Sequence, residues 1–287
     1  TGRWTASLEH GDSRLQLELR RGGPGHDWSN GFEVRPEQLR DLTAEQARSG
    51  GSVAFSLVRE AGTFSFRGEF SAGEGGGTIR FTPDGRYVEV MRGLGYSSLT
   101  ADTLYMLAAE DVTTDDVRHL RRMGYDDVSL HQLVRIATHG AGPDYIEAMR
   151  GAGYRGLPLE EMVRMRDHGV DPDYVAELAA RGVRNLPAAD LVRTRDHGVD
   201  AEYISALAAA GYGDAPVGDL VRARDHGVTG QCAAAVRAAG YRDAPLDEIV
   251  RLRDHGVSVA FIERVRGERR GDVTLDQVIR IHDRGDD

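Results

Sequence analysis

The stretch that decides the fold is Arg166-Asp167-His168-Gly169-Val170, which recurs as Arg195–Val199, Arg224–Val228 and Arg253–Val257. Successive copies lie 29 residues apart, and Thr138-His139-Gly140 is a weaker copy in the same register. A fixed period of this length is typical of repeat proteins.

Glycine marks the start of each repeat. Six full units run from about Gly95 to Glu268, with a half unit before them and an incomplete seventh after them. The marker pairs are Gly95-Tyr96, Gly124-Tyr125, Gly153-Tyr154, Gly182-Val183, Gly211-Tyr212 and Gly240-Tyr241.

Each unit is predicted to form two short helices. In the unit that begins at Gly153, Pro158 to His168 carries one apolar stripe, and Gly169 supplies the left-handed residue that ends the helix. Asp171-Pro172 then starts the second helix as N-cap and first-turn proline. Capping boxes are predicted for Ser129 with Gln132 and for Thr274 with Gln277. Helices this short depend on stacked neighbours for stability.

Residues 1–82 follow a different pattern, in which apolar and polar residues alternate as in strands. This pattern predicts a small antiparallel β domain of about five strands. The glycine run Gly73–Gly77 is expected to be a hairpin turn, and Pro36 to Gln46 one short helix.

The sequence therefore predicts an α+β chain with two domains. Residues 1–82 form a β-rich cap, and residues 83–287 form a right-handed α-solenoid of 29-residue two-helix repeats. Since the repeat pattern begins directly after the last strand, we expect the β domain to cover the N-terminal end of the solenoid.

Composition excludes several classes of chemistry. The chain carries a formal net charge of −10, and all 36 of its Lys and Arg residues are arginine. There is consequently no Schiff-base lysine and no P-loop lysine. An acidic chain is a poor non-specific binder of nucleic acid, and no apolar run reaches the length that a membrane helix needs. We expect Cys232, the single cysteine, to be buried and inert.

An arginine row is the first candidate binding site, because aligned guanidinium groups can receive a carboxylate or phosphate partner through bidentate pairs. The alternative is that each arginine pairs with acidic residues of its own or the next unit. The row consists of Arg135, Arg164, Arg193, Arg222, Arg251 and Arg280, and a second row follows two residues later at Arg166, Arg195, Arg224 and Arg253.

A histidine row is the second candidate. Each imidazole is expected in the last turn of a helix, where it would cap a carbonyl, and several equivalent histidines would titrate together as a pH sensor. Their spacing argues against a shared metal ion, and we expect no cofactor. The row consists of His139, His168, His197, His226 and His255.

Catalytic motifs are missing from the sequence. Adjacent Asp167 and His168 point in different directions on a helix and would not form a catalytic pair. Neither a Gly-x-Ser-x-Gly elbow nor a His-Glu-x-x-His motif occurs. The chain is thus not expected to be an enzyme.

Three features together carry a family resemblance: Phe55 to Gly68 with the following glycine run, Tyr87 to Tyr96, and the Leu-Val-Arg-x-Arg-Asp-His-Gly-Val units. Together they resemble the C-terminal extracytoplasmic extension of some bacterial proteins related to beta-lactam-sensing antirepressor metallopeptidases, and of some anti-sigma factors. The resemblance implies a sensor or interaction segment outside the cytoplasm, separated here from any membrane or effector portion. No catalytic residue carries over, because the metallopeptidase motif is missing.

The predicted function is a non-catalytic protein- or peptide-interaction or sensor module of a bacterial extracytoplasmic or membrane-associated protein. The expected partner is a protein or peptide, and an acidic one if the arginine row is the binding site. The alternative is a structural protein that self-assembles by end-to-end stacking, because near-identical units can stack between copies.

Overall fold

The computed structural model describes residues 2–9, 14–23, 26–269 and 273–285, and it has an α+β fold in which strands precede helices. Seven strands lie in the described N-terminal part: β1 Gly2–Glu9, β2 Arg14–Gly23, β3 His26–Val34, β4 Leu39–Arg40, β5 Gly51–Arg59, β6 Gly62–Ser71 and β7 Glu74–Pro83.

All seven strands belong to one antiparallel sheet with the order β3-β2-β1-β7-β6-β5-β4. The antiparallel prediction is confirmed, but the prediction of about five strands is too low. The missed strands are β3 and β4 at the two edges, and β4, with two residues, is too short to show any alternation.

One face of the sheet holds an aromatic core. Trp4 is 1% exposed, and its ring lies edge-on to Phe55 and Phe66 at centroid distances of 5.2 and 5.9 Å. Every second residue of β2 is buried, at Leu15, Leu17 and Leu19, as expected for a strand with one covered face.

The glycine run is only partly a hairpin turn: Gly73, with φ +88°, lies in the turn between β6 and β7 as predicted, but Gly75–Gly77 belong to a strand. Gly75–Gly77 lie in β7 and pair with β1, and Gly77 also pairs with Gly68 of β6. A Cβ atom on Gly77 would lie 2.0 Å from the carbonyl oxygen of Arg67. Glycine is required here because the backbones of β6 and β7 approach too closely for a side chain.

The segment Pro36 to Gln46 is not a single helix, contrary to the prediction. Pro36–Gln38 forms a 3-10 turn, Leu39–Arg40 is β4, and helix α1 runs only over Ala44–Ser49. Thr43 starts α1 with a capping box closed by Gln46. The apolar residues of this segment belong partly to the edge strand β4 and partly to the short helix α1, so they do not mark one continuous helix.

Helices occupy the rest of the described chain, each about nine residues long. They are α2 Gly85–Gly93, α3 Ala101–Ala109, α4 Thr114–Arg122, α5 Leu130–Thr138, α6 Pro143–Gly151, α7 Leu159–Asp167, α8 Pro172–Ala180, α9 Ala188–Asp196, α10 Ala201–Leu207, α11 Val217–Asp225, α12 Gly230–Ala238, α13 Leu246–Asp254, α14 Val259–Glu268 and α15 Leu275–Arg284. A π-helical turn, Ala208–Tyr212, follows α10.

Helix ends follow the sequence signals. The predicted capping boxes at Ser129 and Thr274 are confirmed, and Asp171 accepts a hydrogen bond from the Tyr174 amide as N-cap of α8. Gly169 has φ +70°, which is the left-handed conformation expected where α7 ends. Local chemistry therefore determines where most helices begin and end.

The chain divides into two compact units, Thr1–Pro143 and Asp144–Asp287. The first contains the sheet with α1 to α5, and the second contains the later helices. The prediction of a domain boundary at residues 82 and 83 was based on the change from strands to helices. It stays a prediction, although the strands do end at Pro83.

Within the first unit, the turn between β5 and β6 contacts the N-terminal end of α4. The Glu60 carboxylate accepts hydrogen bonds from the Thr114 amide at 2.9 Å and from its hydroxyl at 2.7 Å. The Tyr87 hydroxyl of α2 donates to the Val112 carbonyl at 3.0 Å. These bonds fix the sheet against α2 to α4.

Candidate interaction surfaces

The first arginine row lies on the first helix of successive repeats, with Arg135 on α5, Arg164 on α7, Arg193 on α9, Arg222 on α11, Arg251 on α13 and Arg280 on α15. Some members pair with carboxylates of the following unit. Arg222 pairs with Asp247, and Arg251 lies 2.7 Å from Asp276. These guanidinium groups join neighbouring repeats, as the alternative interpretation anticipated.

Two members lack that partner for a simple reason. Arg222 and Arg251 each pair with an aspartate 25 residues further along the chain. At the same distance, Arg164 is followed by Ala189 and Arg193 by Gly218, neither of which carries a carboxylate. Arg164 instead lies 3.6 Å from Glu161 on its own helix, and Arg193 has no carboxylate within ion-pair distance among the described residues. The row is thus only partly neutralised.

The second arginine row covers tyrosine rings of the preceding unit. Arg195 and Arg224 each lie 4.8 Å from the ring centroids of Tyr174 and Tyr203. The hydroxyl of Tyr203 donates to the Val228 carbonyl at 3.0 Å, and burial raises the pKa of Tyr203 to about 12. Each contact of this kind combines a cation–π interaction with a buried hydrogen bond.

Cys232 and Phe261 replace the tyrosine in the last two units. Phe261 packs edge-on against His282 at 5.0 Å, so an imidazole takes the place of the second-row arginine. Cys232 is half-buried, which corrects the prediction that it is buried, and burial raises the pKa of its thiol despite the nearby Arg253.

Each histidine of the row is the C-cap residue of its helix. For the four histidines in the second compact unit, residues 144–287, the imidazole lies beside an aspartate of the next repeat. Nδ1 of His168 lies 2.7 Å from Oδ1 of Asp196, and Nδ1 of His197 lies 2.5 Å from Oδ1 of Asp225. His226 with Asp254 and His255 with Asp283 repeat the arrangement at 2.5 and 3.1 Å. His139 is the C-cap residue of α5 in the first unit.

The carboxylate partner of each histidine is not predicted by the sequence motif, because it lies on the helix of the next repeat and not on the same helix. An offset of 28 residues is one short of the repeat, which is the signal that would have found it. These exposed pairs join adjacent units. Among the described residues, no group of three or more His, Cys, Asp or Glu side chains is placed to hold a metal ion.

A groove at the turn that begins with Gly153 is a further candidate that sequence reasoning missed. We call it the Tyr154 groove. It has a volume of about 510 Å³ and lies between this turn, helix α8 and the start of α9. The Tyr154 hydroxyl donates to the Leu186 carbonyl at 2.8 Å, which fixes the ring at one wall. Apolar lining comes from Leu157, Val175, Leu178, Val183 and Leu191.

The Tyr154 groove differs from the equivalent positions at Tyr212 and Tyr241 by one missing arginine. Arg237 lies 5.5 Å from the Tyr212 ring centroid, and Arg266 lies 5.0 Å from that of Tyr241. Both arginines follow their turn tyrosine by 25 residues, and the residue at this distance from Tyr154 is Ala179. With only a methyl group there, no guanidinium covers the Tyr154 ring in the described part of the chain.

No described helix is both long and apolar enough to cross a membrane. Comparison with models of known protein families, with curated protein sequences and with solved structures finds no match to this chain.

Proposed function

We propose that the chain is a non-catalytic module that binds protein or peptide segments, and that the Tyr154 groove is its binding site. The observation that carries this proposal is a groove of about 510 Å³ in which Tyr154 has no arginine over its ring, whereas two other repeats place one there. Open grooves with apolar floors and a fixed aromatic wall suit extended peptide segments.

The scaffold we propose is a right-handed α-solenoid of 29-residue repeats over residues 83–287, with the antiparallel sheet of residues 1–82 as its N-terminal cap. The support is a set of bonds that recur with the repeat. Tyrosine hydroxyls donate to valine carbonyls 25 residues later, and histidines pair with aspartates 28 residues later. Bonds of fixed offset join each unit only to its neighbour, which is the defining property of a solenoid.

A sensory role outside the cytoplasm of a bacterium is proposed on the resemblance to extracytoplasmic extensions alone. In such a protein the Tyr154 groove would bind a peptide, and membrane and effector portions would transmit the signal.

Selection from a displayed library of random peptides tests the proposed function. The full chain is the bait, and each enriched peptide is titrated against two variants, Ala179→Arg and Ala176→Arg. Ala179→Arg should remove binding, because it installs the residue that covers the tyrosine ring at Arg237 and Arg266. Ala176 is exposed on the same helix and does not line the groove, so Ala176→Arg adds the same charge without filling the site.

The proposal predicts enriched peptides that bind both the wild-type chain and Ala176→Arg but not Ala179→Arg. Enrichment of no peptide, or of peptides that bind Ala179→Arg as well as wild type, would refute it.

A further inference from the structure

The charge of the Tyr154 groove is opposite to that of the chain as a whole. The chain carries a net charge of −10, yet the groove is lined by Arg155 and Arg184 and by no acidic side chain among the described residues. This contrast indicates which ligand chemistry the groove accepts.

Both guanidinium groups are anchored at one nitrogen and available at the others. Nε of Arg155 donates to the Arg150 carbonyl at 3.3 Å, and Nε of Arg184 donates to the Ala179 carbonyl at 3.1 Å. Neither arginine has a carboxylate within ion-pair distance in the described part of the chain. Anchoring at Nε reduces the side-chain entropy that each arginine loses when it binds a ligand.

The equivalent groove at Tyr241 shows a different lining. It is lined by Arg242 and Arg266 but also by Asp243 and Glu248, and Arg266 covers the aromatic ring. A ligand carboxylate would meet two like charges there. A ring with no arginine over it and an unopposed positive charge therefore coincide at Tyr154 and not at Tyr241.

We infer that the Tyr154 groove binds a peptide segment in which an aromatic side chain neighbours an aspartate or glutamate. The aromatic ring stacks on Tyr154 over the apolar floor, and the carboxylate pairs with Arg155 and Arg184. A bidentate arginine–carboxylate pair adds direction to the contact. This inference rests on the proposed function and specifies its ligand.

Isothermal titration calorimetry with synthetic peptides tests the ligand class. The probe is a hexapeptide blocked at both ends, with Trp-Glu at its centre flanked by glycines. Three companions replace Glu by Gln, replace Trp by Ala, or place a free terminal carboxylate directly after Trp without Glu. The proteins are the full chain, Arg155→Gln with Arg184→Gln, and the matched control Arg242→Gln in the other groove.

We expect the Trp-Glu peptide to bind about tenfold or more tightly than the Trp-Gln and Ala-Glu peptides, because each companion lacks one charged or stacked contact. The double arginine variant should lose the difference between Glu and Gln, while Arg242→Gln keeps it. Urea unfolding of each variant separates loss of the ligand contacts from loss of the fold.

Three results would overturn the inference. Equal binding of the Trp-Glu and Trp-Gln peptides removes the role of the carboxylate, and preference for the free terminal carboxylate assigns the site to chain ends. Failure of all four peptides removes the aromatic–acidic ligand class. If library peptides still bind in an Ala179-sensitive way, the proposed function survives each of these results; if they do not, both fail.

Discussion

Nδ1 of His197 lies 2.5 Å from Oδ1 of Asp225, which is 28 residues further along the chain. Asp225 directly precedes His226, the histidine of the next repeat. In each Asp-His pair from Asp196-His197 onward, the aspartate therefore contacts the histidine of the preceding repeat, and the histidine contacts the aspartate of the following repeat. Four such contacts, made by His168, His197, His226 and His255, connect successive repeats.

A double-mutant cycle measures the strength of one such contact. His197→Gln and Asp225→Asn should show a coupling free energy of about 0.2–1 kcal/mol in urea unfolding, a small value because these side chains are about 40% exposed and screened by water. His131→Gln, at an exposed histidine on α5, should leave stability unchanged. Coupling indistinguishable from zero would show that the pair contributes nothing to the joint between repeats.

Cys232 stands at the repeat position that Tyr174 and Tyr203 occupy in earlier repeats, and restoring a tyrosine there should stabilise the fold. Cys232→Tyr should raise the free energy of unfolding by about 1 kcal/mol, because a ring there would lie beneath Arg253 and its hydroxyl would reach the Val257 carbonyl, as in earlier units. Tyr203→Phe should lower stability by a similar amount through loss of its bond to Val228. If Cys232→Tyr destabilises the chain, the stacked position in that unit differs from the others.

Glu60 supplies one of several contacts between the sheet and the helices, beside the Arg59–Asp111 ion pair and the packing of Phe64 on Tyr105. Glu60→Ala should lower stability by about 1–2 kcal/mol, because the first-turn amide and the hydroxyl of Thr114 lose their acceptor. Chemical unfolding, followed by tryptophan fluorescence of the sheet, measures the loss. Glu37→Ala, at an exposed residue of the 3-10 turn, is the control; equal loss in both variants would contradict the assignment.

Alkaline pH should weaken the fold over a defined window. Burial raises the pKa of Tyr145 and Tyr203 to about 12, from an ordinary value of 10.0. The folded state therefore holds these protons more tightly than the unfolded state, so their contribution is complete below pH 10 and is lost as pH rises toward 12. Unfolding free energies measured from pH 9 to 12, with phenolate absorbance recorded in parallel, test this. Full phenolate formation near pH 10 without loss of stability would contradict it.

Much of the helical region was predictable because its signals are local and repeated. The caps at Ser129 and Thr274 and the left-handed Gly169 depend on residues within one turn of each helix. The strands of the sheet were harder to predict. In Glu74–Pro83, for example, glycines are required because the backbone lies very close to a neighbouring strand. That cause is not visible in local alternation.

The candidate site shows the same division. The arginine and histidine rows are visible in sequence, but their partners lie one repeat away and depend on how the units meet. The Tyr154 groove is marked only by Ala179, an unremarkable residue until compared with Arg237 and Arg266 in equivalent units. Absences from a repeat pattern are therefore as informative as its repeated residues.

Removal of one unit tests the proposed repeat most directly. Deleting residues 182–210 joins Arg181 to Gly211 in register and sets His168 opposite Asp225 and Tyr174 opposite Val228. We predict that this chain keeps its helical circular dichroism and unfolds cooperatively in urea, whereas deletion of residues 186–210, which breaks the register, does not. Loss of cooperative unfolding in both deletions, or equal tolerance of both, would contradict a solenoid built from interchangeable 29-residue units.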